Sequence, residues 1–203
     1  MRLFKHSELR SFYFLNITQF LGALNDNVFK LLVVYFLINV KGAANASTIL
    51  ATAGAVFVIP FLLFSASAGV IADRSSKRKI VVIMKAFELF IMTFSLVGIY
   101  FKSEFAAFFF LFLMAAQSAA FGPSKYGIIP ELVKPERLSH ANGLLNSCTF
   151  LAIIIGTFLA SFITDLTNKN FMLAFPFCIF ISILGLLASL KIEKTPPQRS
   201  KKR

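Results

Sequence analysis

Six long apolar runs, separated by short polar segments, form the main pattern along the chain. A membrane-spanning helix needs about 20 mostly apolar residues, and the runs reach that length without the alternation typical of strands. The pattern therefore predicts an all-α membrane protein with six transmembrane helices. The predicted spans are about residues 11–40, 47–72, 80–101, 104–126, 138–166 and 171–190, with an N-terminal segment at 1–10 and a basic tail at 191–203.

The composition supports a membrane location and argues against a soluble domain. Hydrophobic residues make up 57% of the 203 residues and charged residues only 15%, and the mean hydropathy is +0.76. A soluble domain usually carries about 25% charged residues. Cys148 and Cys178 lie inside apolar runs, and His6 and His140 lie near run ends. Without a Cys and His cluster, we predict neither a metal site nor a cofactor.

The basic residues lie mostly on one side of the predicted spans. The formal net charge is +12, and most of the 21 Lys and Arg residues fall in the N-terminal segment, in alternate connections and in the tail. The opposite connections hold only Lys41, Lys102 and Lys169. Because Lys and Arg concentrate in cytoplasmic segments, we predict that both termini are cytoplasmic. Nucleic-acid binding is not predicted, since it needs a solvated basic face.

Polar residues recur along the first span at intervals that fit one face of a helix. They are Asn16, Gln19, Asp26 and Lys30, with Asn27 beside them. Ionisable side chains are costly within a membrane, and each one is a candidate functional residue. Two interpretations stay open. Asp26 and Lys30 neutralise each other as a structural pair, or the face lines a cavity for a polar substrate or a coupling ion.

The third span carries Lys85 and Glu88, three residues apart and on one helix face. Both lie toward the predicted cytoplasmic end, where a lysine side chain can extend to the membrane surface. We therefore predict a structural ion pair. In the fifth span, Ala152, Gly156 and Ala160 recur every four residues. Small residues at this spacing let helix backbones approach closely, which predicts helix packing.

The fourth span ends in a polar segment. Gln117 and Lys125 share a helix face, and Gly122 and Pro123 are expected to weaken the helix between them. A weakened helix at membrane depth is tolerated where it lines a cavity or packs against protein. Lys125 then offers a cation to an anionic headgroup. The alternative is an ordinary lysine at the membrane interface.

A motif connects the second and third spans. Gly69, Asp73, Arg74, Lys77 and Arg78 follow the pattern G-x-x-x-D-R-x-x-[KR]-[KR]. The motif resembles the cytoplasmic loop of the major facilitator superfamily, although Ser76 stands where glycine is typical.

Three further stretches narrow the resemblance, at residues 22–27, 122–128 and 141–144. In this order they resemble the lysophospholipid transporter family, bacterial proteins that move lysophospholipids across the inner membrane. The resemblance implies the N-terminal half of a superfamily bundle, built from two three-helix repeats, with a cavity lined by the first and fourth helices. Asn25, Asp26, Asn27 and Lys125 fall on the family's motif positions.

The resemblance also implies a mechanism and partners. Alternating access is expected, with Lys125 at the phosphate and Asp26 at the amine of a zwitterionic lysophospholipid. The acyl chain is expected to lie against the Phe-rich wall or membrane lipids. The chain matches only the first half of a family member, so a second six-helix half or a homodimer partner is expected to complete it. An acyltransferase that reacylates the lipid is a further expected partner.

Three alternative functions remain. The first is that the chain is a non-transporting remnant or a scaffold for an acyltransferase, and the sequence fits this almost as well. The second is a membrane enzyme, which the sequence disfavours because Ser65, Ser67 and Ser161 have no intramembrane histidine partner. The third is a transporter of sugars or drugs, which the stretch at residues 122–128 disfavours.

Overall fold

The computed structural model describes residues 6–193, and within them it contains helices but no strands. Six helical segments are long and apolar enough to cross a membrane, which confirms the predicted fold class. The predicted tail from residue 194 and the first five residues lie outside this description. The helices are α1 (His6–Lys41), α2 (Ala46–Arg74), α3 (Lys77–Tyr100), α4 (Glu104–Gly127), α5 (Ile129–Leu132), α6 (Leu138–Leu166), α7 (Phe171–Ala174) and α8 (Pro176–Leu190), with 3-10 turns at Ala43–Asn45 and Pro135–Arg137.

Helix α1 lies at the centre of the bundle. It packs against α6 on one side and against α8 and α4 on others, while α2 packs on α4 and α3 packs on α4 and α8. The apolar core includes Phe29 on α1, whose ring meets Phe175 edge-on at 5.5 Å. The short helix α7 and α8 together form the last span, Phe171–Leu190. This arrangement leaves the polar face of α1 directed toward α4 and α6.

The first and last helices bring the two described chain ends together. The backbone N–H of Glu193 donates to Ser11 Oγ at 3.2 Å. The described part of the chain therefore begins and ends on the same side of the bundle, as an even number of crossings requires. That this side faces the cytoplasm stays a prediction from the distribution of Lys and Arg.

Small residues allow α1 and α6 to pack closely. A Cβ atom added to Gly156 would lie 2.8 Å from the backbone oxygen of Leu24 and 3.1 Å from Asn27 Cβ. The neighbouring small residues Ala152 and Ala160 are fully buried. The contact confirms that this spacing in α6 serves helix packing.

Replacing Gly156 with alanine is therefore expected to destabilise the bundle. The new methyl group meets backbone, which cannot yield as a side chain does, so we expect the free energy of unfolding to fall by about 1–3 kcal/mol. Gly54→Ala in α2 is the matched control, because its Cβ would meet nothing within 4 Å. That control should be neutral or stabilising by up to about 1 kcal/mol. Loss of helical circular dichroism on heating in one detergent measures both, and equal melting temperatures would contradict the close contact.

The predicted weakening of the fourth helix is wrong. Helix α4 continues through Pro123 to Gly127. A proline inside a helix loses one backbone hydrogen bond and crowds the carbonyl four residues earlier, and its ring also crowds the Cβ and N–H of the residue before it. Gly122 has no Cβ, which removes part of this clash and lets the helix continue. The connection that follows contains α5 and a 3-10 turn.

Most residues of the motif between the second and third spans lie on helices and not in a loop. Only Ser75 and Ser76 separate α2 from α3, so Gly69, Asp73 and Arg74 lie on α2. The remaining motif residues, Lys77 and Arg78, begin α3 and connect other elements. Lys77 Nζ lies 2.7 Å from Glu131 Oε1 on α5, and Arg78 donates to the carbonyls of Leu190 and Ile192, each at 3.1 Å. The Lys77 side chain also packs closely against the end of α4, since a Cβ added to Gly127 would lie 2.8 Å from Lys77 Cε.

Candidate functional site

A polar cavity of about 200 Å³ lies between α1, α2, α3, α4 and α6. Five residues singled out in the sequence line it together, which are Gln19, Asp26, Asn27, Gln117 and Lys125. The four-residue spacing on α4 and the three- to four-residue spacing on α1 place these side chains on facing helix surfaces. The other lining residues are Gly22, Ala23, Phe57, Phe61, Lys85, Ser118, Phe121, Thr149 and Ile153.

Asp26 supplies an acceptor that is only partly used. Ser118 Oγ on α4 donates to Asp26 Oδ2 at 2.6 Å. The other oxygen, Oδ1, is buried and has no hydrogen-bond partner in the described part of the chain. An unpaired buried acceptor is costly. Asp26 can therefore accept an N–H or O–H from a molecule that enters the cavity.

Lys125 supplies a cation that has aromatic neighbours. It lies in the last turn of α4, with Nζ 5.9 Å from the ring centre of Phe121 and 5.1 Å from that of Tyr126. The ion pairs found within residues 6–193 do not include it. Aromatic faces attract a cation without neutralising it. The ammonium group can therefore still pair with an anion.

The amide side chains of the cavity wall are fixed by hydrogen bonds between helices. Gln19 Nε2 on α1 donates to Thr149 Oγ1 on α6 at 2.9 Å. Gln117 Nε2 on α4 donates to the carbonyl of Met84 on α3 at 3.1 Å, and its Oε1 lies 3.2 Å from Ser118 Oγ. These bonds hold the wall in one arrangement around Asp26.

Lys85 also lines the cavity, which the sequence analysis did not predict. Its Nζ lies 2.5 Å from Glu88 Oε2, and both side chains are about 1% exposed. The expectation that Lys85 extends to the membrane surface is wrong, because the side chain turns inward to α1. A Cβ on Gly22 would lie 2.4 Å from Lys85 Nζ. Gly22 thus provides the space for this ammonium group.

Two residues proposed for the cavity lie outside it. Asn25 is fully buried on another side of α1 and donates to Glu88 Oε1 at 2.8 Å and to Ser182 Oγ at 2.9 Å. One residue along a helix turns the side chain by about 100° from Asp26, which explains this direction. Lys30 Nζ lies 3.5 Å from Asn27 Oδ1 and 4.7 Å from the ring centre of Phe57.

The proposed pairing of Asp26 with Lys30 is not present among the ion pairs of residues 6–193. Asp26 uses Ser118 instead. The sequence offered one signal for Ser118, its position next to Gln117 at the polar end of the fourth span. It offered none for Phe57 or Phe61 and did not place Lys85 at the cavity, because the order in which helices pack is not a property of any single span.

The cavity combines opposite charges with an apolar border. Asp26 and Lys125 are its acidic and basic ends, and Phe57 and Phe61 from α2 form part of the wall. This combination suits a polar group that carries both an anion and a donor. The described residues contain no group of three or more His, Cys, Asp or Glu side chains that could hold a metal ion.

Comparison with known proteins identifies the family. The family model of the Major Facilitator Superfamily matches residues 15–203. Lysophospholipid transporter LplT of Photorhabdus laumondii is 30% identical over 148 residues, which are 72% of this chain and 35% of that protein. The protein of the same name from Cronobacter sakazakii is 31% identical over 110 residues, covering 54% and 26%. The one from Serratia proteamaculans is 26% identical over 140 residues, covering 69% and 33%.

The matched stretch spans about a third of the length of these relatives. The family model, over residues 15–203, takes in most of the six helical segments and the residues of the polar cavity. Together with these segments, the family match makes the chain an integral, multi-pass membrane protein. The chain belongs to the Major Facilitator Superfamily.

Proposed function

We propose that the chain is the N-terminal six-helix unit of a transporter that carries lysophospholipids across a bacterial inner membrane. The observation that carries this proposal is that Asp26 and Lys125, which have opposite charges, line the same cavity. Asp26 keeps a buried oxygen without a partner, and the ammonium of Lys125 has only aromatic neighbours in the contacts found for it. Relatives named as lysophospholipid transporters support the same substrate class.

The headgroup of a zwitterionic lysophospholipid matches both charges. Its phosphate would pair with Lys125, and its ammonium would donate to the free oxygen of Asp26. Hydrogen bonds between charged groups are shorter and roughly twice as strong as neutral ones. The fixed amides of Gln19 and Gln117 would complete the polar surroundings.

The acyl chain has to lie outside the polar cavity. A volume of about 200 Å³ is below the range of about 300–1,000 Å³ that holds a drug-sized ligand. We therefore expect the part of the site that this chain supplies to take the headgroup. Phe57 and Phe61 at its border would direct the chain toward the apolar surroundings.

Transport by alternating access needs a second six-helix unit that closes the cavity from the other side. We propose that α2 is part of the surface that receives it. In the apolar 18-residue stretch of Ala43–Arg74 only 11% of the residues are buried, whereas the corresponding stretches of the other spans within residues 6–193 are 28–56% buried. The second unit is a second copy of this chain or a separate subunit, and an acyltransferase is the expected consumer of the transported lipid.

The role of Lys125 is tested by binding. We expect Lys125→Gln to weaken binding of lysophosphatidylethanolamine to the purified chain in nanodiscs by about tenfold or more, because a charge-assisted hydrogen bond to phosphate is lost. Equilibrium titration with labelled lipid measures the change in Kd.

Lys134→Gln is the matched control. Lys134 is exposed in the connection after α4 and does not line the cavity. Its replacement removes the same charge from the same end of the bundle, and we expect an unchanged Kd. Equal weakening by both substitutions would show a general effect of surface charge and contradict a phosphate site at Lys125.

A further inference from the structure

A second, apolar crevice lies between α2 and α3, with α4 as its floor. Its volume is about 550 Å³. The floor is made of small side chains, Ala116 and Ala120, and the walls carry larger ones that are partly exposed, among them Ile71, Ile83 and Phe87. Because the floor residues are small, the crevice stays open beside the part of α3 from Lys79 to Phe87.

An open apolar crevice in a bilayer is filled by lipid. The lining atoms of a void lose their dispersion contacts, and hydrocarbon chains are the molecules available at this depth. The crevice runs along about two turns of α3, from Ile80 to Phe87. This shape suits one extended acyl chain.

The end of the crevice carries a positive charge. Lys79 and Ser75 line it there, and no acidic residue does. The two basic residues just before Lys79 are already engaged, since Lys77 pairs with Glu131 and Arg78 donates to the carbonyls of Leu190 and Ile192. Lys79 is exposed and stands outside the ion pairs found in residues 6–193. It is positioned to attract an anionic group at the membrane surface.

We propose that this crevice binds an anionic phospholipid of the surrounding bilayer, with one acyl chain between α2 and α3 and the headgroup on Lys79. This site goes beyond the proposed transport function, because its ligand is a membrane lipid and not the transported molecule. Gln117 stands between the two cavities and lines both. Its amide nitrogen donates to the carbonyl of Met84 on α3, which holds the wall between the two sites.

The chain contains no tryptophan, which allows a direct test by fluorescence. Ile83→Trp places a single reporter in the crevice, and Phe87→Trp places a second reporter one turn deeper for use if the first variant does not fold. Phe158→Trp is the matched control, because Phe158 on α6 is 68% exposed and lies outside the crevice lining. Each variant of the full chain is reconstituted in phosphatidylcholine vesicles that contain brominated phosphatidylglycerol or brominated phosphatidylcholine. Bromine quenches tryptophan on contact, so quenching against mole fraction gives the relative affinity of the two lipids.

At position 83 or 87 we expect phosphatidylglycerol to bind about three- to fivefold more tightly than phosphatidylcholine, as one lysine near an anionic lipid predicts. Adding Lys79→Gln should bring the ratio close to one, and at position 158 the ratio should be close to one throughout. A ratio of one in the crevice, a ratio that survives Lys79→Gln, or the same preference at position 158 would overturn the proposal. Lysophospholipid binding at Asp26 and Lys125 is measured separately, so either site can fail alone.

Discussion

Replacing Lys85 with methionine is expected to lower the free energy of unfolding by about 3–5 kcal/mol. Lys85 Nζ lies 2.5 Å from Glu88 Oε2, and both side chains are about 1% exposed. Methionine keeps most of the volume of the side chain but leaves Glu88 without its cation. The remaining partners of Glu88 Oε1, the Asn25 amide and Ser182, do not neutralise the charge. Unfolding by sodium dodecyl sulfate in mixed micelles, followed by circular dichroism, measures the loss.

A double variant separates loss of the charge partner from loss of packing. Lys85→Met combined with Glu88→Gln removes both charges, and we expect it to recover most of the lost stability. Lys41→Met is a surface control, because Lys41 pairs with Glu104 where both side chains are about 40% exposed. An exposed pair contributes about 0–1 kcal/mol. If Lys85→Met lowers the free energy of unfolding no more than Lys41→Met does, the buried ion pair does not have the proposed effect on stability.

Replacing Asp26 with asparagine is expected to weaken binding of lysophosphatidylethanolamine by about 10- to 100-fold. The substitution keeps the size of the side chain and its contact with Ser118. It removes the charge on the oxygen that has no partner in the described part of the chain. Equilibrium titration of the purified chain with labelled lipid gives the two dissociation constants.

The headgroup itself supplies the control for this substitution. Lysophosphatidylglycerol has a phosphate but no amine, so it has no ammonium to pair with Asp26. We expect its Kd to change less than about threefold in Asp26→Asn, because a neutral glycerol hydroxyl can donate to the asparagine oxygen as well as to the carboxylate, and no ion pair is lost. Equal losses for both lipids would show that the substitution disturbs the cavity as a whole. They would contradict an amine site at Asp26.

The sequence predicted the six spans because a membrane helix needs a long apolar run, and that requirement is local. It also grouped Gln19 and Asp26 on α1, and Gln117 and Lys125 on α4, because helix periodicity fixes which side chains share a face. Asn25 was assigned to the cavity from the motif resemblance, against that periodicity. Its side chain faces α3 and α8 instead.

The parts that could not be predicted depend on which helices meet. The inward turn of Lys85 requires the space at Gly22 on a different helix. The crevice between α2 and α3 requires two walls that diverge over a floor of alanines on α4. Helix α4 is continuous through Pro123. Gly122 before it lowers helix propensity, but it also lacks the Cβ that would crowd the proline ring. The expectation of a weakened helix did not take the absent Cβ into account.

The most direct test of the account locates the lysophospholipid phosphate. Solid-state NMR of the full chain in lipid bilayers, with nitrogen-labelled lysine side chains and bound lysophosphatidylethanolamine, measures dipolar coupling between phosphorus and each Nζ. We expect a lysine nitrogen within about 5 Å of the lysolipid phosphorus, as a charge-assisted hydrogen bond requires, and loss of that coupling in Lys125→Gln. A coupling that persists in Lys125→Gln, or no coupling in the unsubstituted chain with lipid bound, would contradict it.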